Sequence, residues 1–221
     1  MRLARSIKIF AMLAILAIFQ TNTCLADPLW LLAGLQEGRS LIEHKVLGER
    51  DENLMVRQTS ELTCGPAALA TLLNIYYGEN TSEKELANMT QTYERGTTTL
   101  LALRDAARGL GYNASGYKMD FLQLCEQIRQ NQVPLLVHYV KPSLHYTLVI
   151  GVLNNRYILT ADPSEGNIAV DVADFSRRWD GKVLVVNSSS HFVNLAHMQQ
   201  IMHSASSRLD TLEKSDFLIM R

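Results

Sequence analysis

The sequence contains few cysteines and no excess of charge of either sign. Three cysteines among 221 residues are too few for a disulfide scaffold. Lysine and arginine number 21 and aspartate and glutamate 22, so no basic surplus is available to neutralise phosphates, which argues against nucleic acid as the main partner. Glycine (12) and proline (5) are too scarce for a low-complexity chain. The 47% of hydrophobic residues instead indicates an ordinary globular protein of one domain.

The first 26 residues have the pattern of an export signal. Basic residues near the start precede a wholly apolar run over 9–19, and the small residues Cys24 and Ala26 precede a cleavage point before Asp27. The run of 11 residues is too short to cross a bilayer as a helix, which needs about 20. We therefore expect a periplasmic protein with a signal peptide at 1–26. The alternative is an uncleaved signal that anchors the chain in the inner membrane.

Three further segments are expected: an N-terminal arm at 27–50, a main domain at 51–187 and an accessory helix or tail at 188–221. In the main domain, helical patterns come first and strand patterns follow. The predicted helices cover 64–77, 82–89, 99–109 and 120–130, and the predicted strands cover 133–140, 145–153, 156–161, 168–170 and 182–187. Helices followed by a meander of antiparallel strands indicate an α+β fold.

Cys64 is the most informative residue for chemistry. It lies at the predicted start of a helix that Thr63 can cap and that has Pro66 in its first turn. The unpaired N–H groups and the dipole of a helix start favour an anion, so a thiol there is a good source of the nucleophilic thiolate. The alternative is a buried, inert cysteine, which is the commoner fate of such a residue.

A nucleophilic cysteine needs a base, a group that orients the base and a donor to the oxyanion. His145 begins one predicted strand and Asp162 ends its partner in the same hairpin, so their side chains can meet at its open end. His138 is a rival base, but it lies within an apolar strand, where a packed histidine is more common. Gln58 precedes Cys64 by six residues, and its amide can donate to an oxyanion if the loop folds back.

No other chemistry is indicated as strongly. The sequence has no glycine-rich phosphate loop and no spacing typical of a metal site, so neither a metal nor an organic cofactor is expected. Cys125 lies in a predicted helix on one apolar stripe with Leu122 and Ile128. That position is typical of a reduced core cysteine, although two cysteines in an oxidising compartment would otherwise suggest a disulfide with Cys64.

Four segments follow one another in a recognisable order. They are Gln58, the helix start Thr63-Cys64-Gly65-Pro66-Ala67, the strand start His145-Tyr146-Thr147-Leu148-Val149, and Ala161-Asp162-Pro163. Together they resemble the peptidase C39 family of papain-like, bacteriocin-processing peptidases. The resemblance implies a papain-like fold with N-terminal helices packed on an antiparallel sheet. It also implies that Cys64 is the nucleophile, His145 the general base, Asp162 the orienting carboxylate and Gln58 the oxyanion donor.

The same resemblance implies a substrate and partners. The family cuts leader peptides after a Gly-Gly pair, so the expected partner is a polypeptide with such a leader. The best-known members are domains of peptide-exporting ABC transporters, whereas this chain resembles exported, stand-alone C39-like proteins. Such proteins occur with bacterial secretion systems, including those that export functional amyloid subunits, which are further candidate partners. Thr63 stands where many members carry aspartate.

Two other functions remain open from the sequence. C39-like domains that have lost their cysteine hold substrates for secretion machines, and a non-catalytic module that binds or chaperones an exported polypeptide is the main alternative. The retained Cys64 argues against it. Acyl transfer to an amine on the same papain-like frame is the other alternative, and it differs from hydrolysis in its products.

Overall fold

An antiparallel sheet of seven strands organises the described part of the chain, which comprises residues 45–46, 55–190 and 193–219 of a computed structural model. The expected signal peptide at 1–26 lies outside these residues, as does the expected arm at 27–50 apart from its two-residue strand. The strands are β1 (Lys45–Val46), β2 (Asn113–Lys118), β3 (Leu135–Tyr139), β4 (His145–Leu153), β5 (Tyr157–Asp162), β6 (Gly166–Asp171) and β7 (Trp179–Asn187). Their spatial order is β1-β6-β5-β4-β3-β7-β2.

Helices cover both faces of this sheet. They are α1 (Cys64–Thr71), which continues as a π-helical turn (Leu72–Tyr76), α2 (Glu83–Met89), α3 (Thr92–Arg95), α4 (Leu100–Gly109), α5 (Phe121–Asn131), α6 (Val172–Arg178) and α7 (Leu195–Ile219). One core lies between the sheet and α1, α2, α4 and α7, and a second lies between the sheet and α5 and α6. The α+β prediction is confirmed, with the refinement that α5 packs on the face opposite to α1.

The alternation of side chains along the strands explains the two cores. Leu136 and Leu148 face the α1 side, whereas their neighbours Val137 and Val149 face the α5 side. Because successive residues of a strand point to opposite faces, a strand covered on both faces is apolar throughout. This is why the central strands appear in the sequence as continuous hydrophobic runs.

Local capping signals place several helix ends where the sequence predicts them. Ser82 and Glu85 form a capping box at the start of α2, and Asp120 forms one with Gln123 at the start of α5. Thr63 precedes α1 but does not cap it, because its hydroxyl donates to a nearby carbonyl instead. The prediction of a Thr63 cap is therefore wrong.

Two sequence predictions about the middle of the domain also need correction. Leu122 is 61% exposed, so it does not lie on the buried stripe of α5; that stripe consists of Leu124, Cys125 and Ile128. Strand β2 was not predicted, because Ala114 is its one buried residue and the rest of the segment lacks apolar alternation. Pairing with β7 along its whole length makes it a strand.

The β4–β5 hairpin brings two candidate residues together. Asn154 and Asn155 both adopt positive φ in the turn, as asparagine does more readily than most residues. The strands then pair antiparallel from Leu153 opposite Tyr157 back towards the open end. His145 begins β4 and Asp162 ends β5, so both lie at that end of the sheet.

The segment predicted as an accessory helix or tail contains α7. Its residues Ile201, Ala205 and Leu209 are buried against the α1-side core. Met202 packs so closely on Gly151 of β4 that a Cβ there would lie 2.6 Å from the Met202 sulfur. Among the helices described, none is both long enough and apolar enough to cross a membrane.

Candidate active site

Cys64 is the first residue of α1 and is 6% exposed. The turn before it is closed by Ser60, whose carbonyl accepts hydrogen bonds from the Thr63 amide at 3.1 Å and the Thr63 hydroxyl at 2.9 Å. At a helix start the first N–H groups have no acceptor within the helix. The amides of Cys64 and Gly65 are in this position, so the helix start can donate hydrogen bonds to an anion beside the sulfur.

Gly65 allows α1 to approach β4 closely. A Cβ at this position would lie 2.8 Å from Thr98 Cγ2, 3.1 Å from Leu103 Cδ1 and 3.1 Å from Tyr146 Cδ2. No larger residue fits without a shift of these neighbours. Because Tyr146 follows His145 in β4, this close packing sets how near the sulfur of Cys64 comes to the imidazole.

His145 lies between the thiol and a carboxylate. Its Nε2 is 2.8 Å from Asp162 Oδ2, and the side chain of Cys64 is close enough to the ring to act on its pKa. Since Nε2 is held by Asp162, Nδ1 is the nitrogen available to the sulfur. Burial by itself would lower the pKa of His145, but the hydrogen bonds and charges of Asp162 and Cys64 outweigh it and raise that pKa to about 10. The protonated ring is therefore favoured.

Asp162 is held rigidly as an anion. It is 2% exposed, and its Oδ1 accepts from the Ser164 amide at 2.9 Å, the Ser164 hydroxyl at 2.7 Å and the Glu165 amide at 3.1 Å. Burial opposes the charge, but the hydrogen bonds and charge of His145 and the bonds from Ser164 lower the pKa of Asp162 below its usual value. Both carboxylate oxygens are thus occupied, and Oδ2 is aimed at His145.

Ser164 is a site residue that the sequence analysis missed. An aspartate followed two residues later by serine is the pattern of a turn in which the carboxylate accepts backbone N–H bonds. That local signal is present in the sequence around Asp162. It was overlooked because the pattern is common in loops and does not by itself indicate chemistry.

Gln58 lies on the loop that runs between the cysteine turn and the aspartate turn. Its amide N–H donates to the carbonyl of Pro163 at 3.1 Å, and its side-chain Nε2 donates to the carbonyl of Ser60 at 3.0 Å. Nε2 carries a second hydrogen. The Oε1 atom is buried and has no hydrogen-bond partner among the residues described, and an unsatisfied buried atom of this kind is uncommon.

His138 is not brought to the thiol. Its Nδ1 lies 3.3 Å from Asp180 Oδ2, and its ring packs against Tyr146 with centroids 4.7 Å apart. Burial raises the pKa of Tyr146, and the charges of Cys64 and Asp180 raise it further. The ring of Tyr146 contacts His138 and also lies beside Gly65, the residue that follows Cys64.

The arrangement has the parts needed for acyl transfer by a thiolate. An imidazole held by a carboxylate can take the proton of a thiol and return it to a leaving group, while N–H donors at the helix start stabilise an oxyanion. Within the described ranges, no three His, Cys, Asp or Glu side chains are grouped to hold a metal ion. Cys64 and Cys125 are not joined in a disulfide.

Several known proteins are similar to this chain in sequence or in fold. An uncharacterized protein of Methanothermobacter marburgensis is 41% identical over 135 residues, which is 61% of this chain and 89% of that protein. The probable functional amyloid protease FapD of Pseudomonas aeruginosa is 26% identical over 157 residues, covering 67% of this chain and 68% of FapD. The crystal structure of the peptidase domain of Streptococcus ComA, a bi-functional ABC transporter of a quorum-sensing pathway, has a TM-score of 0.55 at 27% identity, over 62% of this chain and 99% of that domain.

The family model described as the peptidase C39 family matches residues 52–191. The sheet with helices on both faces is the papain-like fold of the C39 peptidase domains, as the similarity to the ComA domain shows. The match covers well over half of the chain. The chain therefore belongs to the peptidase C39 family.

Proposed function

We propose that the protein is an exported cysteine peptidase that hydrolyses a peptide bond in a secreted polypeptide. The observation that carries the proposal is that His145 Nε2 lies 2.8 Å from Asp162 Oδ2, while Cys64 at the start of α1 interacts with the same ring. A histidine in that position can shuttle a proton between sulfur and a leaving amine. Membership of the C39 family supports a peptidase independently of this geometry.

In the proposed reaction His145 already holds the thiol proton of Cys64, as the raised pKa of the ring favours, and the thiolate attacks the carbonyl carbon of the scissile bond. The Cys64 amide and the second N–H of Gln58 donate to the resulting oxyanion; losing one such donor typically lowers the rate by about 10²–10³-fold. His145 then gives its proton to the leaving amine as the C–N bond breaks and a thioester forms. Water hydrolyses the thioester with His145 as base, which regenerates the thiolate and the protonated ring.

The proposed substrate is a leader peptide cut after a Gly-Gly pair, as the family resemblance implies. FapD is named as a probable functional amyloid protease, and ComA as a bi-functional ABC transporter involved in a quorum-sensing pathway. Both names are consistent with a peptide that is destined for secretion. A secreted amyloid subunit and components of a secretion system are therefore the partners to test first.

The test uses the full-length protein and a synthetic peptide with a Gly-Gly leader, with the products identified by mass spectrometry. We expect Cys64→Ala to abolish cleavage. Cys125→Ala is the matched control, because it removes a second buried thiol that lies away from the site on α5, and we expect it to retain activity. A peptide with Gly-Gly replaced by Ala-Ala tests the proposed specificity.

Two outcomes would change the proposal. If Cys64→Ala leaves maturation and secretion of the partner unchanged, a non-catalytic binding or chaperone module is the better description. If the products carry an added amine in place of a free carboxyl group, the reaction is transamidation. Separately, we propose a periplasmic location, which cell fractionation and N-terminal sequencing of the purified protein would test.

A further inference from the structure

The loop that carries Gln58 is tied to its surroundings by three backbone N–H groups. Val56 N–H donates to Thr71 Oγ1 at 2.9 Å, which joins the loop to α1. Gln58 N–H donates to the carbonyl of Pro163 at 3.1 Å, beside the orienting aspartate. Thr59 N–H donates to Glu83 Oε1 at 2.7 Å. The third bond is the one whose acceptor is a charged side chain.

Glu83 is a buried carboxylate from a different helix. It is the first residue of α2, 24 residues after Thr59, and is 7% exposed. A negative charge is favoured at a helix N-terminus, but a carboxylate taken out of water needs hydrogen-bond donors. The Thr59 amide supplies one at a distance typical of a strong, charge-assisted bond.

The two bonds on either side of Gln58 fix the direction of its side chain. The amide of Gln58 belongs to the peptide group before its Cα, and the amide of Thr59 belongs to the peptide group after it. Pro163 holds the first group and Glu83 holds the second. With both groups held, the Cα–Cβ bond of Gln58 has a defined direction, whereas loss of the Glu83 bond frees the second group to rotate.

We propose that Glu83 is a positioning residue for the oxyanion donor Gln58. The inference rests on the peptidase function proposed above and adds a requirement to it. Glu83 acts through the Thr59 amide on the orientation of the Gln58 side chain. Because an oxyanion donor works only when aimed at the position of the developing charge, small displacements lower the rate of the chemical step more than substrate binding.

The first experiment measures kcat and KM of full-length variants with the Gly-Gly peptide. We expect Glu83→Ala to lower kcat about tenfold and to change KM less than about twofold, since only part of the donor's effect is lost. Glu83→Gln keeps an acceptor oxygen and is expected to restore kcat to within about threefold of wild type. Glu83→Asp keeps the charge at the helix start but shortens the side chain by one bond of about 1.5 Å. We therefore expect it to lower kcat about as much as Glu83→Ala does. It tests the proposal even if the alanine variant folds poorly.

Glu85→Ala is the matched control on the same helix. Glu85 accepts from the Ser82 amide at 2.7 Å in the capping box of α2, so its loss destabilises that helix without touching the Gln58 loop. We expect a lower melting temperature and an unchanged kcat. An equal fall in kcat for Glu85→Ala and Glu83→Ala would show that α2 stability, rather than positioning, is responsible, and would overturn the proposal.

A double-mutant cycle with Gln58→Ala supplies the decisive comparison. If Glu83 acts through Gln58, adding Glu83→Ala to Gln58→Ala lowers kcat no further. If the two losses in kcat add, the positioning role of Glu83 is contradicted. It is also contradicted if Glu83→Ala leaves kcat unchanged while Gln58→Ala lowers it strongly. Neither outcome contradicts the peptidase function. Cleavage that survives Cys64→Ala contradicts the peptidase function and with it this proposal, so the two failures are distinguishable.

Discussion

His145 and His138 lie on neighbouring strands and each is paired with an aspartate, but their surroundings differ. In the first pair the nitrogen–oxygen distance is 2.8 Å and the aspartate, Asp162, is 2% exposed. In the second pair the distance is 3.3 Å and the aspartate, Asp180, is 16% exposed. The ring of Tyr146 packs on His138.

The partners of the two carboxylates differ in charge as well as in number. Asp162 accepts from neutral donors of Ser164 and Glu165, so its negative charge is left to His145. Asp180 also binds the ammonium group of Lys182 at 2.6 Å, which already neutralises it. A histidine–aspartate pair is therefore not sufficient to indicate a catalytic base. What distinguishes His145 is a shorter bond to a more deeply buried carboxylate and a thiol that also acts on the ring.

The most direct test of the difference between His145 and His138 is to remove each imidazole in turn. We expect His145→Ala to lower kcat/KM for the Gly-Gly peptide by about 10²–10⁴-fold, which is the usual contribution of general acid–base catalysis. His138→Ala should stay within about threefold of wild type, because its ring is paired with Asp180 and packed on Tyr146. Equal losses in the two variants would mean that the second pair also takes part in the reaction.

Neutralising each carboxylate tests the electrostatic part of the comparison. Asp162→Asn removes the anion that holds His145, and a hydrogen bond to a charged group contributes about 1.5–3 kcal/mol. We expect kcat/KM to fall by about 10- to 150-fold. Asp180→Asn should leave kcat/KM unchanged within about twofold. Circular dichroism and melting temperatures of both proteins would show whether any loss reflects misfolding.

The pH dependence of stability tests the protonation of His145 without an activity assay. The pKa of His145 is raised from 6.5 to about 10 in the folded protein, so the folded state binds this proton more tightly than the unfolded state. The resulting stabilisation is complete below about pH 6.5 and is lost as the pH rises towards 10. Urea unfolding from pH 6 to 10 should show this loss in wild type and in His138→Ala. A His145→Gln protein with the same slope would contradict the assignment.

A smaller effect, on the melting temperature, is expected from a substitution that crowds the ring of Tyr146. Gly65→Ala would bring a Cβ within 3.1 Å of Tyr146 Cδ2 and 2.8 Å of Thr98 Cγ2, and overpacking of this kind costs about 1–3 kcal/mol. Gly109→Ala in α4 is the control, because its Cβ would meet Met89 Cε at 3.4 Å, which is ordinary contact. A drop in melting temperature for the first variant alone is the expected result.

Local chemistry accounts for the features that could be predicted. The capping pattern at Asp120, the two asparagines of the β4–β5 turn and the apolar runs of β3 and β4 each act within a few residues. Such short-range signals give the start of α1 at Cys64 and the hairpin whose open end carries His145 and Asp162. The position of Gln58 six residues before Cys64 made it a candidate oxyanion donor, and the family resemblance implies the same role.

Features that depend on neighbours distant in sequence were missed or were wrong. Thr63 is a separate case, because its hydroxyl is taken by the carbonyl of Ser60 only three residues away, a local competition that the residue type alone does not reveal. Leu122 and Leu124 are both apolar and two residues apart, and only contact with the sheet makes Leu124 the buried one. Strand β2 exists because β7 offers it a ladder of hydrogen bonds.

Short-range patterns in the chain are thus enough for the α+β order of elements, the helix start that bears the thiol and the hairpin that pairs a histidine with an aspartate. Long-range packing alone brings α1 onto β4 through Gly65, ties the Gln58 loop to Pro163 and Glu83, and packs His138 against Tyr146. The physical reason is that a turn or a cap is stabilised by groups a few residues apart. A catalytic arrangement instead joins side chains from segments that meet only when the core closes.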